Sequence, residues 1–143
     1  MKNTFKTLLI LFAVASLTFT ACKKETDIDQ GTGKDHLNPP SWIQFIWTKA
    51  NGLNGEDGYQ FTSDDMITVM YDQNGNQTSN LSLKDAIKDK DYTISEQHTT
   101  TSYQFSIHYN DTNSTENYQF VLSGPQLIYT DNVQNTFTYT KRN

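Results

Sequence analysis

The chain has 143 residues and a formal net charge of −5, with 8 Tyr, 8 Phe, 2 Trp and one cysteine, Cys22. A single cysteine excludes an intramolecular disulfide and a thiolate-rich metal site, and the length suits one domain of ordinary size. Beyond residue 21 the balance is 9 basic against 16 acidic side chains, with basic pairs only at Lys23-Lys24 and Lys141-Arg142, which excludes a nucleic-acid interface built on clustered Lys and Arg.

Residues 1–21 begin with Lys2 and Lys6, continue into the apolar stretch Leu8 to Leu17, and end on the small residue Ala21. Spanning a bilayer takes roughly 20 apolar residues. The shorter run here suits the apolar region of a secretory signal peptide, which is removed from the mature protein. The closing tetrad Phe19-Thr20-Ala21-Cys22 resembles the lipobox of bacterial lipoproteins. That resemblance implies cleavage before Cys22, a diacylglyceryl thioether on its sulfur with palmitate-type acyl chains, and anchoring of the mature protein to a membrane. Ordinary secretion, with Cys22 incidental, is the alternative. Lys23-Lys24-Glu25-Thr26-Asp27 is similar to the export signal of Bacteroidetes surface lipoproteins. It implies a place in the cell envelope, as an outer-membrane lipoprotein facing the periplasm or the surface.

Residues 22–40 contain two sizeable apolar groups, Ile28 and Leu37, among charges, Gly31, Gly33, Pro39 and Pro40. This composition predicts a lipidated flexible tether. The pattern changes at Ser41, and residues 41–143 are assigned to one domain. Trp42 to Thr48 is an apolar run of β-formers. Lys49 to Gly58 reads as a long loop. Gly58 to Thr62 alternates with period two, Ser63-Asp64-Asp65 reads as a turn, and Met66 to Tyr71 is a strand. Asn74-Gly75 is the dipeptide favoured in tight hairpins. Over residues 81–88 two readings stay open: a short helix capped by Ser82, with Leu83, Ala86 and Ile87 on one face, or an irregular connection.

Alternation returns at Tyr92 and Ile94. It is clearest where Tyr103, Phe105, Ile107 and Tyr109 take turns with Gln104, Ser106 and His108. Asn110 to Glu116 is polar and reads as a loop. Tyr118, Phe120 and Leu122 alternate next, Ser123-Gly124-Pro125 breaks the strand, and Leu127 with Tyr129 and then Phe137 with Tyr139 complete the pattern. About eight short strands with no βαβ signature predict an all-β fold, a small antiparallel up-and-down barrel.

Three segments resemble the small lipocalin-like domains of Bacteroidetes lipoproteins: Gly58 to Asp65, an aromatic strand entering a polar hairpin; Tyr118 to Leu127, a hairpin in which a strand ends in Leu-Ser and a leucine re-enters the core; and Phe137 to Arg142, a closing strand with a basic end. The resemblance covers residues 42–142 in order and outline. It implies a lipocalin-like β-barrel whose interior holds a small apolar molecule.

Trp47, Tyr59, Phe61, Tyr103, Phe105, Tyr118, Phe120, Phe137 and Tyr139 are the candidate pocket lining. Two readings apply to them: plain core packing, or a cavity in which tyrosine hydroxyls orient a ligand. Trp42 or Trp47 is suited to plugging one end of the barrel. His36, His98 and His108 share no metal-ligand spacing, so no metal or cofactor is expected. No nucleophile, base and orienting group are recognisable together, and Asp64-Asp65 sits on a turn, so a catalytic role is not expected either. The expected function is non-catalytic binding of a small apolar ligand by a membrane-anchored lipoprotein. The alternative is an envelope protein-interaction or inhibitor domain using Asn51–Gly58 and Asn110–Glu116.

Overall fold

The computed structural model describes residues 36–143, so the leader, Cys22 and the spacer through residue 35 lie outside the described residues. Nine strands and one short helix follow in the order β1 (Ile46–Ala50), β2 (Glu56–Phe61), β3 (Met66–Tyr71), β4 (Gln77–Ser82), α1 (Leu83–Ile87), β5 (Tyr92–His98), β6 (Ser102–Tyr109), β7 (Ser114–Ser123), β8 (Gln126–Thr130) and β9 (Thr136–Lys141). They form one curled sheet ordered β4-β3-β2-β1-β9-β8-β7-β6-β5, a lipocalin-like half-barrel. The last strand returns to pair with the first, through Trp47 with Lys141 and Thr48 with Thr140. Every neighbouring pair is antiparallel, so an odd number of strands leaves β4 and β5 pointing the same way. They cannot close the sheet with an antiparallel rung, and α1 crosses between them instead.

The helix forms for local reasons. Ser82 is its N-cap, and its side chain accepts from the Asp85 backbone N–H. Asp65, almost fully buried, accepts from Ser82 Oγ at 2.5 Å and from the Lys84 backbone N–H at 3.0 Å. This ties the β2–β3 turn to the start of α1. Ile87 is buried on the core and Leu83 packs partly against it, while Ala86 faces solvent. The helical reading of 81–88 thus holds, with a narrower apolar face.

One end of the half-barrel is plugged by the segment before β1. Leu37, Pro39 and Ile43 are buried, Trp47 Nε1 donates to the Ile43 carbonyl at 3.0 Å, and Trp42 Nε1 donates to the Thr99 carbonyl in the β5–β6 turn at 3.0 Å. The packed unit therefore begins at Leu37, within the stretch expected to be spacer. The expected strand over Trp42–Thr48 begins only at Ile46. Pro40 starts a turn in which its carbonyl accepts from the Ile43 N–H at 3.0 Å, and a proline-led turn cannot extend a ladder.

At the opposite end lie the turns at 51–55, 72–76, 110–113 and 131–135. Three of them share one design. The side chain of Asn51, Asp72 or Asp131 accepts from backbone N–H groups two and four residues on. The fourth residue, Asn54, Gly75 or Gln134, has positive φ. The expected Lys49–Gly58 loop shrinks to these five residues, because Lys49, Ala50 and Glu56 to Gly58 are in strands. Gly58 is required in β2, since a Cβ there would lie 1.8 Å from the Trp47 carbonyl oxygen. The expected Asn110–Glu116 loop likewise loses Ser114 to Glu116 to β7, and His98 is the last residue of β5.

Candidate functional site: the concave aromatic face

Register places the aromatic residues on one face. Tyr103 pairs with Phe120 and Phe105 with Tyr118 across β6 and β7; Phe120 pairs with Tyr129 and Leu122 with Leu127 across β7 and β8; Tyr129 pairs with Phe137 and Leu127 with Tyr139 across β8 and β9. Trp47 and Tyr59 join from β1 and β2. All nine candidate residues thus share the concave face. Trp47, Phe61, Tyr103, Phe105, Phe120 and Tyr139 are buried, whereas Tyr59, Tyr118 and Phe137 are partly buried.

The buried six form the core near the plugged end. Phe61 and Phe120 meet edge to face at 5.0 Å, and Phe61 reaches Tyr103 at 6.2 Å. Toward the open end the rings line up as a cross-strand ladder. Phe105 stacks on Tyr118 at 4.5 Å and 12°, Tyr118 on Tyr129 at 6.4 Å and 25°, and Tyr129 on Phe137 at 6.1 Å and 23°. Tyr129 was not among the candidates, although it shares a face with Leu127 by spacing. Three of the four rings in the ladder are only partly covered. Core packing therefore accounts for the buried six, and an accessible aromatic surface remains beside them.

Polar groups rim this surface. Lys49 Nζ lies 3.0 Å from Asp57 and over the rings of Phe137 and Tyr139, at 5.7 and 5.9 Å. Glu116 Oε2 accepts from Tyr118 Oη at 3.0 Å and from Tyr109 Oη at 3.3 Å. Burial pushes the Tyr59 phenol up to about 12, and the Tyr118, Tyr129 and Tyr139 phenols are raised for the same leading reason. These hydroxyls stay protonated at neutral pH; Tyr118 gives its proton to Glu116 and Tyr139 is hydrogen-bonded to Tyr59, which leaves Tyr129 with a proton to donate to a ligand.

A second polar feature lies deeper. Glu96 is 4 % exposed, and its Oε1 accepts from Tyr103 Oη at 2.5 Å and from the Asn38 backbone N–H at 2.8 Å. Its Oε2 is buried without a partner. Burial, then the neighbouring carboxylate, pushes the Tyr103 phenol far up. Sequence reading passed over Glu96, but the signal was there: it falls two residues after Ile94 and opposite Phe105, at an inward position.

The convex side carries a recess of about 410 Å³, lined by side chains of β5 to β7 and the β8–β9 turn. Of the nine candidates only Phe105 and Tyr118 border it. His108 Nδ1 sits 3.0 Å from Thr115 Oγ1 on this outer side. Among the described residues no group of three or more His, Cys, Asp or Glu side chains is placed to hold a metal ion. Asp64 forms a 2.6 Å ion pair with Lys84, and Asp65 holds the helix start, so both acids have structural work at the turn.

The fold and this face define an open, all-β half-barrel with an aromatic concave surface. Compared with family models, curated proteins and solved structures, the chain matches none.

Proposed function

We propose that the chain is a non-catalytic binding domain, held at the outer membrane by a lipid on Cys22, whose concave face takes a small, flat, apolar molecule. The observation that carries the binding reading is the half-covered ladder Phe105, Tyr118, Tyr129 and Phe137 on a sheet whose ends do not meet. Stacked aromatics offer a large apolar contact area with fixed orientation, and the protonated Tyr129 hydroxyl gives direction. The plug at one end leaves the other as the entrance. The anchor rests on the lipobox-like ending at Cys22 and the charged residues after it.

Two experiments test the proposal. Titration with the apolar fluorophore N-phenylnaphthylamine is expected to give saturable fluorescence enhancement that falls about tenfold in affinity in Tyr129→Ala, the loss of one stacking partner. Absence of saturable binding overturns the ligand reading. Metabolic palmitate labelling is expected in the parent and absent in Cys22→Ala; equal labelling overturns the anchor.

A second reading has its own observation. Leu53 and Val133 are 83 % and 74 % exposed at the tips of two turns on the open rim. Large apolar groups presented at loop tips suit contact with another envelope protein. Capture of such a protein by the parent but not by Leu53→Asp, with fluorophore binding intact, would favour that reading.

A further inference from the structure

We infer that the convex recess is a second binding site, for a neutral saccharide. It forms where β8 stops at Thr130 while its neighbour β7 runs on toward Ser114, so that the turn after β8 overhangs a step in the sheet. Its floor is two cross-strand rows of outward side chains. Gln97, Gln104 and Gln119 are in register across β5, β6 and β7, and Ser95, Ser106 and Asn117 form the adjacent row. Neighbouring strands lie about 4.8 Å apart and alternate residues along a strand about 6.8 Å apart. The rows therefore make a grid of carboxamides and hydroxyls on the scale of a sugar ring.

Three facts select the ligand class. First, the side chains of both rows have no hydrogen-bond partner among the described residues, so their donors and acceptors are unspent. A carboxamide offers two donors and an acceptor, the complement of vicinal hydroxyls. Second, the recess presents no free charge. Among the residues lining it Asp131 alone carries a carboxylate and none is Lys, Arg or His, and the two Asp131 oxygens accept from Val133 N, Asn135 N and Asn135 Nδ2 within its own turn. Phosphorylated or sulfated ligands find no cation here, and cationic ligands find no available carboxylate. Third, two of the three floor strands, β6 and β7, are paired on both sides, and the one free backbone edge, on β5, lies at the margin of the recess. A ligand seated over the floor therefore meets outward side chains rather than backbone, and side-chain contacts to a polyhydroxylated ligand are what the surface provides. The volume falls in the range of small-molecule sites.

The concave aromatic face lies on the other side of the sheet, so this site stands or falls independently of the apolar-ligand reading. The test is calorimetric titration of the full chain with neutral gluco-, manno- and xylo-oligosaccharides, with heparin and polygalacturonate oligosaccharides as charged controls. Saturable binding of at least one neutral oligosaccharide is expected, unchanged when the sodium chloride concentration is raised severalfold. Gln104→Ala together with Gln119→Ala is expected to weaken it by about tenfold or more. Both residues are exposed, and an unchanged thermal midpoint will show that the variant is folded. A second variant, Tyr129→Ala, is expected to leave saccharide binding intact. Failure of every neutral oligosaccharide to bind, binding of the charged ones alone, or binding unaffected by the paired substitution overturns the inference.

Discussion

Replacing Tyr103 by Phe removes one oxygen from a fully buried ring and leaves its packing surface in place. That oxygen donates to Glu96 Oε1 at 2.5 Å, in a core where Glu96 Oε2 has no partner and Oε1 has only one other donor, the Asn38 N–H at 2.8 Å. Removing one partner of a buried hydrogen bond and leaving the other unsatisfied costs about 1–3 kcal/mol, and Glu96, which already has one oxygen without a partner, sits toward the upper end. We expect Tyr103→Phe to lower the unfolding free energy by about 2–3 kcal/mol. For a domain of this size that moves the urea midpoint down by roughly 1–2 M with an unchanged slope. Glu96→Ala is expected to cost more, since it strands both the phenol and the Asn38 amide. Urea unfolding followed by tyrosine and tryptophan fluorescence reads the shift. Hydrogen exchange at Asn38 reads the link to the plug, which is expected to lose protection in Glu96→Ala. A change below about 0.5 kcal/mol in Tyr103→Phe would mean that the hydroxyl and carboxylate do not hold each other, and the reasoning fails.

Further outcomes follow from the same geometry. Phe105→Ala, at a ring stacked 4.5 Å from Tyr118 and buried, is expected to cost about 3–5 kcal/mol in urea unfolding, and a loss under about 1 kcal/mol contradicts its place in the core. Gln134→Gly relieves a side chain held at φ 68° and is expected to raise stability by about 0.5–1 kcal/mol; a drop in the thermal midpoint refutes the assigned backbone. In alkali, the neutral form of the raised phenols contributes stability that is complete below their ordinary value of 10.0 and is lost as pH rises toward the folded values, about 12 for Tyr59. Phenolate absorbance should therefore appear together with loss of the fold. Ionisation of all tyrosines near pH 10 with the fold retained contradicts this.

The strands with an apolar side and a wet side were legible. In β6 the Tyr103, Phe105, Ile107 and Tyr109 set is buried while Gln104 faces out, so period two alone gave the right faces. β4 carries no such contrast: Gln77 to Leu81 are all exposed, because an edge strand away from the core need not alternate. That missing strand is what makes the total nine and leaves the sheet open. The run Trp42 to Phe45 failed in the other direction. Ile43 and Trp42 pack on the core from a turn while Phe45 is exposed, and hydrophobicity without a period does not distinguish such a turn from a strand. The repeated turn design was available, with Asp or Asn first, glycine or an amide fourth and Asn or Gly fifth, but it shows only when the three segments are aligned on one another. Glu96 and Glu116 were hidden because acidic side chains on the inner face interrupt the very alternation used to find strands. The candidate aromatics were found as a set, but their division into a buried group and an accessible group depends on which end is plugged, and that comes from chain reversal at Pro40.

Backbone amide shifts on addition of N-phenylnaphthylamine measure where an apolar ligand sits. The account predicts saturating shifts centred on Tyr118, Tyr129, Phe137 and Tyr139, spreading to Tyr59 and Lys49 across the concave face. Shifts confined to β4, to the rim turns, or to the Gln104 and Gln119 row would contradict it.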